Sequence, residues 1–130
     1  MQVKYVSRQN GQGVWCYAEK GVSHHRRHHS NHHKHGHGHK HKKYPTLVFL
    51  HGFGGDKDTW PSIVTKIPSH FHCVIVDMPG HGETTFIEGV DQPNVEGYVK
   101  SVREFLELTH LDQEKIFLIG CSFGNLFIYQ

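Results

Sequence analysis

Six residues near the end of the sequence, GCSFGN from Gly120 to Asn125, have the pattern of a serine carried on a sharp strand-to-helix turn. Gly120 and Gly124 support such a turn, in which the Ser122 hydroxyl is held clear of a sheet as a nucleophile. A serine so placed can attack an acyl carbon if a base takes its proton and two N–H donors meet the developing oxyanion. The Phe123 N–H, directly after the serine, is one expected donor. The second is expected from another glycine-rich turn, HGFGG at His51 to Gly55, where Phe53 supplies the N–H and Gly52 lets backbone come close. A G-x-S-x-G alone recurs by chance; the two turns together, each following an apolar run, are far more specific.

Those turns need a sheet to hold them. TLVFL (Thr46–Leu50), CVIV (Cys73–Val76) and IFLI (Ile116–Ile119) are continuous apolar runs, as expected of parallel strands covered on both faces. Between the first two lies DTWPSIVTKI, read as a helix. Between the last two lies VEGYVKSVREFLEL, whose Val95, Tyr98, Val99, Val102, Phe105 and Leu106 recur at helical spacing, with Asn94 as N-cap and Gly97 as a weak point. Strand and helix alternate, which is the α/β signature, and both turns fall at carboxyl ends of strands, where open α/β sheets keep their sites. Upstream, MQVKYV and VWCYA flank QNGQG and predict a hairpin.

The net charge of +2 comes from one stretch, His24 to Lys43, which holds ten of the fifteen histidines and six of the fourteen Lys and Arg. Without it, eight basic residues face twelve acidic ones. Residues 24–43 are expected to be a low-complexity loop insertion within a single domain spanning 1–130. Three readings are open: a site for zinc, copper or nickel, a polybasic patch on an anionic membrane surface, and a solvated loop. The absence of any apolar residue favours the solvated loop. No run is long and apolar enough for a membrane span, and the first twenty residues lack a signal-peptide core. Three irregularly spaced cysteines favour a reducing, intracellular setting.

LVFLHGF, KDTW, VDMPGHG at Val76–Gly82 and LIGCSFGN together resemble the α/β-hydrolase superfamily, and within it the monoacylglycerol lipase branch. The resemblance covers nearly all of the chain outside the His tract. It implies an α/β fold with a mostly parallel sheet flanked by helices, and hydrolysis of a lipid ester through an acyl-enzyme on Ser122. The implied oxyanion hole is Phe53 and Phe123; no cofactor is implied, and no nucleic-acid partner is expected. His51 and His81 match positions used for loop structure, so both are expected to support turns. A membrane surface is a candidate partner because relatives often carry an anchor.

Two features depart from that pattern. Asn125 puts bulk where relatives often have Gly. More importantly, the family order places an Asp or Glu and then a His after the serine, and none of these types follows Ser122. The chain is therefore expected to be the amino-terminal part of the fold and inactive alone. The competing expectation is a non-enzymatic product whose His tract binds metal or an anionic surface. Asp77 is expected to shape its turn, Cys121 to pack, and Glu83, Glu104 and Glu107 to be solvated charges.

Overall fold

The computed structural model describes residues 1–21, 44–52 and 54–120. The predicted sites at Phe53, Ser122, Phe123 and Gly124, and the tract at 24–43, lie outside those residues. The described chain forms one five-stranded mixed sheet. Its strands are β1 (Gln2–Ser7), β2 (Val14–Lys20), β3 (Thr46–Leu50), β4 (Cys73–Val76) and β5 (Ile116–Gly120), ordered β1-β2-β4-β3-β5. β1 and β2 form the expected hairpin, and β2 runs antiparallel to β4. β3 is parallel to both β4 and β5, as the apolar runs predicted.

Alternation along the strands divides the core in two. Val48, Leu50, Val74 and Val76 face one side with Trp15 and Tyr17, while Phe49, Cys73 and Ile75 face the other with Ala18. Helix α2 (Val95–Leu108) covers the first side through Tyr98, Val102 and Phe105. Phe105 is the anchor: its ring lies 5.2 Å from both Trp15 and Tyr17, the latter edge-on at 77°. The Asn94 side chain caps this helix, accepting from the Gly97 N–H at 2.7 Å. Gly97 is no weakness there, because a Cβ at that position would overlap the Gln92 carbonyl.

The other side is covered more thinly, and the expected helix over DTWPSIVTKI is broken. Asp56 caps a 3₁₀ turn at Lys57–Thr59, and one α turn follows, α1 (Pro61–Val64). Pro61 favours a helix start, and Pro68 blocks continuation. The Lys20 ammonium donates to the Val64 and Ile67 carbonyls at 3.0 and 2.7 Å, closing the end. β5 pairs with β3 along one side, and Phe117 on it is 52% exposed.

Candidate active site

Strand register sets the site. Leu50 lies level with Val76 on one side and with Gly120 on the other. The chain therefore leaves β3 at His51, β4 at Asp77 and β5 after Gly120 along one edge of the sheet. Gly120 comes two residues before Ser122 in the sequence, and it is the last described residue of the strand that pairs with β3.

The β3 and β4 turns are bound to each other at three points. His51 is buried, and its Nε2 accepts the Met78 N–H at 3.0 Å. An amide nitrogen only donates, so the ring proton is on Nδ1, which donates to the Gly52 carbonyl at 2.8 Å. His81 mirrors this arrangement: its Nε2 accepts the Gly54 N–H at 3.4 Å, and its Nδ1 donates to the Pro79 carbonyl at 3.1 Å. The two rings are 5.0 Å apart. Burial lowers the His51 pKa below the usual imidazole value against the pull of the Gly52 carbonyl, and His81 pushes the same way. With Nε2 already accepting, neither imidazole offers a substrate proton a ready base.

Asp77 makes the third connection. Its carboxylate is fully buried and accepts the Lys57 N–H at 2.6 Å, the Glu83 N–H at 3.1 Å and the Lys57 ammonium at 3.3 Å. A Cβ at Gly82 would overlap that carboxylate, and φ of +52° there also favours glycine. The Lys57 ammonium pays a desolvation penalty, but Asp77 outweighs it and raises its pKa. Cys16, beside Glu83, is pushed up to about 11, chiefly by burial, so its thiol stays protonated at neutral pH.

Next to this edge lies a charged cluster that was not legible in the sequence. Arg8 is buried and grips two carboxylates, reaching Glu104 at 2.8 and 3.0 Å and Asp91 at 2.5 and 2.8 Å. It also donates to the Thr85 carbonyl, and Trp15 Nε1 donates to Glu104 at 2.9 Å. Ser101 and the Ile87 N–H complete Asp91. The cluster ties the hairpin to the segment after His81 and to α2. Glu104 is thus a half-buried ion-pair partner rather than a solvated charge; Glu83 and Glu107 are exposed. At the opposite pole His72 bridges Glu19 at 2.5 Å and Thr46 at 3.1 Å, beside a cavity of about 170 Å³. That cavity is remote from Gly120 and separate from the candidate site.

Among the described residues no three His, Cys, Asp or Glu side chains gather to hold a metal ion, and no helix is long and apolar enough to cross a membrane. Residues 45–128 match the family described as alpha/beta hydrolase fold. The chain belongs to that family. It is 36% identical over 125 residues to human monoacylglycerol lipase ABHD6, covering 96% of this chain and 31% of that protein. A pimeloyl-[acyl-carrier protein] methyl ester esterase from Proteus mirabilis is 31% identical over 83 residues, covering 62% of this chain and 28% of the esterase. Among solved alpha/beta hydrolases, the haloalkane dehalogenase DbeA from Bradyrhizobium elkani superposes with a TM-score of 0.72 at 14% identity. That match covers 98% of this chain and 35% of DbeA and establishes the fold alone. The chain spans about a third of the length of these relatives.

Proposed function

We propose that this chain is the nucleophile-bearing part of a serine hydrolase acting on acylglycerol-type lipid esters. The observation that supports the reading is the register of Leu50 with Gly120, since the HG motif follows Leu50 and the GCSFGN motif begins at Gly120 in the sequence. Ser122 would attack the ester carbonyl, and the Phe53 and Phe123 N–H groups would receive the oxyanion. Collapse of the tetrahedral adduct would expel the alcohol and leave an acyl-Ser122 ester, which water then cleaves. His51, Gly52, Gly120 and Gly124 would support the two turns. Ser122 in place of an Asp nucleophile favours esters over haloalkanes, and likeness to a monoacylglycerol lipase at 36% identity favours a glycerol ester.

The base and its orienting acid would come from residues that this chain does not contain. Losing the base of a comparable triad removes a factor of roughly a million in turnover, about 8 kcal/mol of barrier. The 130-residue chain is compared with a chimera that continues from Gln130 into the corresponding remainder of the human lipase. Fluorophosphonate labelling and monoacylglycerol turnover are expected in the chimera, lost in Ser122→Ala, and near background in the short chain. Labelling of Ser122 in the short chain at the rate of the chimera would overturn the division of the triad. No Ser122-dependent reaction in a folded chimera would overturn the function.

A further inference from the structure

We propose that His51, with His81 beside it, forms an acid-sensitive brace for the turn after β3, releasing it when the His51 ring takes a second proton. This rests on the reading of that turn as half of the oxyanion hole and adds a control on it. Each ring bridges its own turn to the opposite one. His51 takes a donor from Met78 and gives its proton to Gly52; His81 takes a donor from Gly54 and gives its proton to Pro79. The bridges are reciprocal, and both depend on an Nε2 without hydrogen. A His51 imidazolium would set N–H against N–H at Met78, turning an attraction into a repulsion at the backbone that fixes the turn.

The surroundings set how the pair responds. Asp77 and Asp56 favour a charged His51, while burial and the neighbouring His81 oppose it. Asp77 is already held by the Lys57 N–H, the Lys57 ammonium and the Glu83 N–H, and the Cys16 thiol lies on the far side of Glu83. With ring centroids 5.0 Å apart, a charge on one ring resists a charge on the other.

Amide hydrogen exchange of the full chain tests this, following peptides over 52–57 and 77–83 from pH 7.5 to 5 after correction for intrinsic rates. β3 serves as the internal reference. Protection of the two turns is expected to fall about tenfold, the loss of one hydrogen bond, while β3 keeps its own. His51→Gln keeps a side-chain acceptor that cannot titrate and is expected to flatten the profile. A wild-type profile independent of pH, a decline shared by β3, or an unchanged decline in a folded His51→Gln would each overturn the proposal. Because the readout is protection rather than catalysis, it is separable from the serine reading. A pH-dependent brace in a chimera that fails to label would remove the function alone, and labelling with a flat profile would remove the brace alone.

Discussion

The Arg8 cluster and the paired imidazoles brace neighbouring parts of the same sheet edge with opposite chemistry. Arg8 holds Asp91 and Glu104 with fixed charges in a buried setting, where each partner is committed to the others. His51 and His81 hold the HG turn with neutral rings, each bridging one backbone donor and one backbone acceptor. Removing one member of the first arrangement strands a buried charge; altering the second costs a hydrogen bond. The segment that only connects is locked, and the turn proposed to meet an oxyanion is held by groups that protons can release.

Arg8→Ala is the harshest way to break that contrast. It leaves Asp91 and Glu104 together and unpaired, and breaking a buried pair of this kind costs about 3–5 kcal/mol. His81→Gln, by comparison, is expected to cost under about 1.5 kcal/mol, since an acceptor remains. Chemical denaturation of the two variants measures the difference. Equal losses would show that the edge is one cooperative network instead of two braces.

Acid separates the same regions by pH. The folded His51 pKa lies below its unfolded value, so the unfolded chain binds the extra proton first, and stability falls as pH drops from about 6.5 toward the folded value. Burial raises Asp91 and Glu104, but hydrogen bonds from Arg8 outweigh it and hold both below the usual carboxylate range. Their contribution is complete above the ordinary carboxylate values and is lost as pH falls through the folded ones. Two acid phases are expected, each proton contributing a slope of at most about 1.4 kcal/mol per pH unit. Stability measured against pH in His51→Gln should lack the upper phase and keep the lower. A single phase removed by neither His51→Gln nor Glu104→Gln would defeat the assignment.

What the sequence disclosed follows from range. β3 and β4 were legible because four or five consecutive apolar residues suit a strand buried on both faces, and α2 because its stripe has helical spacing. Asn94 was legible because capping is local. The Arg8 cluster joins residues 83 and 96 positions apart, so nothing near Arg8 or Glu104 marks them as partners. Asp77 could be seen to shape a turn, but its hold on Lys57 twenty positions upstream could not. The break in the helix before α1 was written in Pro61 and Pro68, though the apolar spacing of Trp60, Ile63, Val64 and Ile67 obscured it. The HG turn showed its glycines, while the reciprocal contacts of His51 and His81 appear only once β3 and β4 are adjacent.

A purely local device provides a smaller test. Asn94→Ala removes the cap of α2 and is expected to cost about 1 kcal/mol, read as a lower melting temperature. The Arg8 contacts to Glu104, in the third turn of the same helix, should remain, and so should the protection of that turn. Loss of protection along all of α2 would mean that the cap, and not the ion pair, secures the helix to the sheet.

The smallest effect is expected from replacing residues 24–43 with a short Gly-Ser link. The flanking residues are Gly21, whose Cα side faces the Phe71 carbonyl, and Tyr44, whose ring lies 5.2 Å from the Phe71 ring. Both approach the same residue, so a few residues can join them. Lys20 pairs with Cys73 at the start of β4, and Thr46 pairs with Ile116 at the start of β5. The described chain thus breaks off after β2 and resumes before β3 at the pole opposite His51 and Gly120. With no apolar residue in the segment, shortening it changes mainly loop-closure entropy, about 0.6 kcal/mol per halving in favour of the folded chain. The melting temperature should stay level or rise slightly, and the exchange profile of the 52–57 turn should be unchanged. A fall of several degrees would show that residues 24–43 contribute packing or a bound metal to the fold, and a shift in the turn profile would show that the two poles are coupled.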